Sequence, residues 1–265
     1  MKAILSNLRK VREYSPLVHN ITNFVVMNNT ANALLALGAS PIMSHAHKES
    51  EDMIKIVQAL VVNIGTLDEY WVKSMLIAAK KAHEMDKPWV LDPVGAGATP
   101  FRNDTLSRLL GFHPSVIRGN ASEILAMAKE NIESKGVDST NTSQEALEAG
   151  KQLSVTSQAV VCISGREDFI IDGDRVAEIA NGDPLMAKVT GMGCTASALI
   201  GAFLGVEKDP FQATISAMAV MGVAGEIAAK ESKGPGTLQL HFYDALYNLT
   251  DSQLADSLKI AVHEH

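Results

Sequence analysis

The chain has 265 residues, 46% of them hydrophobic and 20% charged, with a formal net charge of −7. That composition suits a globular protein with a sizeable core and carries no basic footprint for nucleic acid. Two cysteines exclude a disulfide framework and no CxxC pair points to zinc, so a reducing, cytoplasmic setting is expected.

Taken in order, the first 15 residues scatter their charges and lack an apolar stretch with a cleavage site, so no signal peptide is expected. No window reaches the apolar length of a membrane span, the greasiest being 195–206. LVHNIT (17–22) predicts a strand, 28–37 a helix closed by Gly38, and SPIMS (40–44) a short strand carrying Met43. ALVVNIG (59–65) is a continuous apolar run, the pattern of a strand buried on both faces. A helix over 68–85 follows, then strands at 89–94 and 115–120 with a helix between them, and a helix over 121–130. The polar stretch 131–145 reads as a loop or lid. AVVCIS (159–164) is a further strand, and 169–179 reads as a hairpin turning at Asp172-Gly173-Asp174. Helices at 194–205, 209–230 and about 238–249 follow, and the terminal VHEH reads as a solvated tail. Strand–helix alternation predicts a single α/β domain over 1–265, a mostly parallel central sheet with helices on both faces.

In such sheets ligands bind beyond the carboxyl ends of the strands. Polar or glycine residues recur there: Gly65-Thr66, Asp92-Pro93, Arg118 with Gly119-Asn120, and Ser164-Gly165. Asp92 and Glu123 are hard oxygen donors that suit Mg²⁺ with phosphate, although a turn cap and a helix-end charge explain each one singly. Arg118 closing an apolar strand suits phosphate, or a structural salt bridge. Gly191-Met192-Gly193-Cys194 reads as a turn opening a helix, where backbone N–H groups and the dipole favour an anion. It is neither a Walker A loop nor GxGxxG. A helix N-terminus lowers a thiol's pKa, which would let Cys194 serve as a base; a small residue fitted to a tight turn is the plainer alternative. Cys162, in mid-strand, reads as core, and so does a lone Met43.

VTGMGC, LDPVGAGATPFR, IRGNASEI and SPLVHNITNFVVMNNTANALLALGASPIMS together resemble the bacterial hydroxyethylthiazole kinase family, over about residues 12–240. The resemblance implies a ribokinase-like fold and transfer of phosphate from ATP to the alcohol of 4-methyl-5-(2-hydroxyethyl)thiazole, in thiamine salvage. It implies a homotrimer with active sites between subunits. Met43 and Gly191 match thiazole-contacting positions, and Asn23 lies in the segment beside that pocket. Arg118 and Ser164 match ATP-contacting positions, and Asn120 joins them from the same strand end. Asp92 and Glu123 match the magnesium-side acids. Cys194 matches the place beside the reacting hydroxyl where sugar-kinase relatives carry an aspartate, and it is expected to be a weak base or a placeholder. Gly191 and Gly193 would stabilise the transferring phosphoryl group. Two residues depart from the family pattern: Met192 where small residues or Thr are common, and Ser164 where Thr is common. The alternatives kept open are a hydroxymethylpyrimidine-type kinase, an ATP-dependent NAD(P)H-hydrate dehydratase on the same scaffold, and a non-catalytic nucleotide sensor.

Overall fold

The computed structural model describes residues 1–131 and 142–263. Its first half runs α1 (Lys2–Tyr14), β1 (Leu17–Ile21), α2 (Met27–Leu37), β2 (Ser40–Ile42), α3 (Ser50–Ile56), β3 (Ala59–Asn63), α4 (Glu69–Glu84) and β4 (Trp89–Asp92). Then come α5 (Pro100–Leu110), β5 (Val116–Asn120), α6 (Ala121–Asn131), α7 (Thr142–Ser157), β6 (Val160–Ser164), β7 (Asp168–Asp172) and β8 (Arg175–Ile179). A 3₁₀ turn (Pro184–Lys188) leads into α8 (Met192–Leu204), followed by α9 (Pro210–Glu231), α10 (Pro235–Asn248), α11 (Asp251–Ser257) and β9 (Ile260–His263).

Local chemistry sets many of these boundaries. Asp68 caps α4 by accepting the N–H of Trp71 at 2.9 Å, and Thr99-Pro100 and Asp209-Pro210 open α5 and α9 with a capping side chain followed by proline. Such caps contribute about 1 kcal/mol each. Helix α2 ends at Gly38, whose φ of 105° lies in the left-handed region that glycine adopts without strain.

The sheet order is β2-β1-β3-β4-β5-β6-β7-β8-β9. All pairings from β2 through β6 are parallel, and β6 through β9 pair antiparallel. Side chains along a strand alternate between faces, and two buried clusters record this. Ala59, Val61, Val90, Val116, Val160 and Cys162 pack under α1, α2, α8, α9 and α10. Leu60, Val62, Leu91, Ile117, Val161 and Ile163 pack under α3 to α7. Helix α8 is buried from Thr195 to Leu204, as expected of a helix that is apolar all round.

Several expectations change. Residues 2–14 form a helix, because Ile4, Leu8 and Val11 recur at helical spacing and are buried together with Asn7. Helix α9 is long and apolar enough to cross a membrane by length and composition, contrary to the sequence reading, but most of it is buried inside the fold. Helices α3 and α11 were not anticipated, and the terminal VHEH is not wholly a tail. Val262 and His263 belong to β9, which pairs with β8 through backbone hydrogen bonds while three of its four residues stay exposed. Strand β2 stops at Ile42, leaving Met43 in the loop beyond it. The lid reading of 131–145 falls mostly on 132–141, outside the described residues; α7 begins at Thr142.

Candidate active site

Parity explains how the site assembles. Asn63 follows Val62, Asp92 follows Leu91, Arg118 follows Ile117 and Ser164 follows Ile163. Each therefore points to the α8 face at the carboxyl end of its strand. The same alternation that buries the core thus delivers four polar side chains beneath the first turn of α8.

Gly191 takes φ 83° as the N-cap of α8, and a Cβ there would come within 2.6 Å of Val26 Cγ1. A Cβ on Gly193 would lie 2.7 Å from Arg118 Nη1. The guanidinium therefore occupies the space that a side chain at position 193 would need. Arg118 is 8% exposed and donates from Nη2 to Ser164 Oγ at 2.6 Å, while its Nε–H has no partner among the described residues. No carboxylate makes an ion-pair contact with it among the described residues, so the structural salt bridge is not what holds it. Burial works against its charge, but Asp92, Cys162, Asp168 and Cys194 outweigh burial and keep it protonated.

Asp92 is 1% exposed, and its Oδ2 accepts from Asn63 Nδ2 and Ser197 Oγ, both at 2.7 Å. Burial pushes its pKa up to about 6, against the pull of Arg118 and the two donors. Glu123 Oε1 accepts the N–H of Gly95 at 3.0 Å and its Oε2 the N–H of Asn120 at 2.9 Å. Asn120 Oδ1 in turn accepts the Glu123 N–H at 3.0 Å, so its side chain caps α6. Among the described residues no three or more His, Cys, Asp or Glu side chains are placed to hold a metal ion by themselves. Two carboxylates near each other, with phosphate and water oxygens completing the shell, fit Mg²⁺.

Cys194 accepts from Asn23 Nδ2 at 3.5 Å. Its pKa is not lowered, as the helix N-terminus alone predicted. Burial and the neighbouring charge of Asp92 push it up to about 11, beyond what Asn63, Asn23 and Arg118 recover. Cys162 is fully buried core, as read from the sequence. Met192 is 9% exposed and belongs to the buried cluster on the α8 face, so it turns into the core rather than toward the loop's open side.

Met43 sits across β1 from this group. Its loop is pinned by His19 Nε2, which bonds Ser44 O at 2.9 Å, and by Ser74 Oγ, which donates to His45 O at 2.7 Å. Because a carbonyl only accepts, His19 carries its proton on Nε2. His45 stacks on Trp71 at 4.1 Å between ring centroids, and Phe24 leans on the same indole at 4.4 Å. Met43 is outside both buried clusters, contrary to the core reading.

Thus Asn23, Asp92, Arg118, Ser164, Gly193 and Cys194 meet under α8, Glu123 and Asn120 form an adjoining pair around Gly95, and Met43 lies on the far side of β1. Sequence reasoning missed Asn63, Ser197, the aromatic group and Arg102. Arg102 donates from Nη1 to Ile64 O (2.5 Å) and Val94 O (2.8 Å) and from Nη2 to Gly65 O (2.7 Å), tying together the ends of β3 and β4. Strand parity would have found Asn63; the others depend on partners far away in sequence.

The profile of the hydroxyethylthiazole kinase family matches residues 8–252. A hydroxyethylthiazole kinase of Leptospira biflexa is 56% identical over 260 residues, covering 98% of this chain and 96% of that one. One from Syntrophus aciditrophicus is also 56% identical, over 97% of this chain and 96% of its own. The hydroxyethylthiazole kinase structure from Pyrococcus horikoshii OT3 superposes with a TM-score of 0.93 at 44% identity, covering all of both chains. A pyridoxal kinase from Staphylococcus aureus, in complex with AMP-PCP and pyridoxal, has a TM-score of 0.64 at 18% identity over 94% of this chain and 99% of its own, which shows a shared ribokinase-like fold. On the matched length and these identities, the chain belongs to the hydroxyethylthiazole kinase family.

Proposed function

We propose the following division of labour for the family's reaction, phosphoryl transfer from ATP to the alcohol of 4-methyl-5-(2-hydroxyethyl)thiazole in thiamine salvage. The observation that carries it is the contact of Gly193 with the buried Arg118 guanidinium. Loop N–H groups, the α8 dipole and Arg118 form one positively polarised cradle, suited to charge developing on a transferring phosphoryl group. Arg118, Ser164 and Asn120 bind ATP. Asp92 and Glu123 hold Mg²⁺, which when bound neutralises phosphate charge. Gly191, Asn23 and Met43 bind the thiazole, beside the Phe24–Trp71–His45 aromatic group.

Cys194 lies beside the acceptor hydroxyl as a neutral thiol. With a pKa of about 11, less than about one part in a thousand is ionised at neutral pH. It is therefore a placeholder rather than a base, and the rate comes from alignment and charge stabilisation. Phe24 and Val25, directly after Asn23, are 62% and 58% exposed. This apolar rim supports the homotrimer with active sites between subunits. Cytoplasmic location follows from the metabolic role.

The test is incubation with Mg-ATP and the thiazole alcohol, with hydroxymethylpyrimidine in parallel, read by mass spectrometry. Thiazole phosphate alone is expected. Phosphate on the pyrimidine alone, or on neither alcohol, overturns the reading.

A further inference from the structure

At the centre of the hydrogen bonds beneath Cys194 stands Asn63, a residue that no motif singled out. It ends β3, is 1% exposed, and pairs in register with Asp92 on β4. Its Oδ1 accepts the N–H of Gly65 at 2.9 Å. A backbone N–H only donates, so this bond fixes which way the amide faces. The same Oδ1 accepts from Asn23 Nδ2 at 2.8 Å, and Nδ2 of Asn63 donates to Asp92 Oδ2 at 2.7 Å. Asn23 is oriented in the same manner: its Oδ1 accepts the N–H of Val25 at 3.1 Å, which turns its Nδ2 toward Asn63 and Cys194.

The far end closes on itself. Ser197 donates to the Asp92 oxygen that Asn63 also reaches, and it stands one helical turn beyond Cys194 on α8. Cys194, Asn23, Asn63, Asp92 and Ser197 therefore form a ring, four side-chain contacts closed by one turn of helix. Asn23, Asn63, Asp92 and Ser197 are each less than 5% exposed, so water cannot readily replace a lost partner.

We propose that Asn63 is a positioning residue of the phosphoryl transfer, holding Asp92 on the phosphate side and Asn23 with Cys194 on the alcohol side at fixed separation. The proposal rests on the assignment of Asp92 and Asn23 to those two sides. Transfer is sensitive to small misalignments of the reacting groups, and only a side chain with both a donor and an acceptor links a carboxylate to another amide's N–H. The two sides are not equally dependent on it. Without Asn63, Asp92 keeps Ser197, whereas Asn23 loses the partner that seats it against the sulfur. The alcohol side therefore loosens first.

The experiment uses full-length Asn63→Ala and Asn63→Leu, the second keeping the side chain's bulk but neither its donor nor its acceptor. In both, kcat is expected to fall 10- to 100-fold and KM for the alcohol to rise at least threefold, with KM for ATP within twofold of the parent. A purely structural role would lower the fraction of active enzyme, reducing kcat with both KM values unchanged; that result overturns the proposal. So do folded variants with parental kcat. Thiol labelling of the ligand-free protein gives a readout independent of turnover, since Cys162 is buried and only Cys194 responds. Labelling at fixed pH is expected to quicken at least threefold in Asn63→Ala, and an unchanged rate counts against the ring. Should neither Asn63 variant fold, Ser197→Ala opens the ring at another bond; at least a threefold loss of kcat is expected, and parental kcat overturns the proposal. Normal turnover by Asp92→Asn would instead remove the assignment on which the proposal rests, a separate failure.

Discussion

Asp92 and Arg118 are 1% and 8% exposed and are held by hydrogen bonds from neighbouring strands and from α8. Phe24 and Val25, just past Asn23, are 62% and 58% exposed, and Phe24 leans on Trp71. On the proposed division, Asp92 and Arg118 on the phosphate side are thus fixed within the single chain, and the rim of the ring side is open. The difference follows from where each comes from. The phosphate side is built from strand ends whose facing is dictated by the sheet. The ring side is built from loops after β1 and β2, whose facing strand alternation does not dictate, although His19 of β1 pins the second of them. It also separates the tasks: charge stabilisation needs preorganised, desolvated groups, whereas recognition of an apolar ring needs area that a substrate or a neighbouring subunit can cover.

The contrast breaks most sharply at Gly193. A Cβ there meets Arg118 Nη1 at 2.7 Å, so Gly193→Ala displaces the guanidinium from the loop. Turnover is expected to fall roughly 100-fold or more, in line with the loss of an oxyanion-type donor; steady-state kinetics within threefold of the parent would show that the cradle is not used. On the open side, Phe24→Ala is expected to raise KM for the alcohol about three- to tenfold with little change in KM for ATP. Equal changes in both would dissolve the division between the two sides. Cys194 lies at their junction. As a neutral thiol it is expected to tolerate Cys194→Ser with turnover within about tenfold of the parent, and complete loss of turnover with both substrates still binding would make it the base.

The smallest effect concerns the Met43 loop. Burial pushes the pKa of His19 down to about 4, with His45 adding to the shift and Ser44 and Glu49 opposing it. The unfolded chain takes up this proton near pH 6.5 and the native protein does not until about 4. His19 therefore contributes stability that is complete above pH 6.5 and is lost as the pH falls toward 4. Asp92 and Asp168, both pushed up to about 6 by burial, act in the opposite sense as the pH falls through that window. Comparison with His19→Gln cancels the carboxylates. Between pH 7.5 and 5 the parent is expected to lose about 2 kcal/mol more than the variant in denaturant unfolding, and parallel losses would contradict a neutral, buried His19.

Much of the phosphate side was legible in the sequence because polar residues interrupt apolar runs there. VVN, VLD, VIRGN and VVCIS each end a buried strand with a group that has no place in a core. Asn63 closes the same kind of run, but an asparagine at a strand end is equally what a turn requires, so VVN alone does not mark it. Ser197 and Arg102 act on partners in other elements, which no local pattern reveals. The thiol shows the same limit from the other direction. A helix N-terminus is visible in VTGMGC, but the burial that outweighs it is a property of the packed molecule. Strand β9 was illegible because backbone pairing, not an apolar face, holds it to the sheet.

The central claim is that the carboxylate buried beneath α8 serves the reaction and not the fold. Asp92→Asn tests it most directly, since an amide oxygen can still accept from Asn63 and Ser197 while the charge is removed. Burial of that charge disfavours the folded state, so the variant is expected to unfold at the same temperature as the parent or higher, with thiazole phosphate formation reduced at least about 100-fold. A variant that turns over within threefold of the parent, or one that loses both activity and thermal stability, would contradict the account.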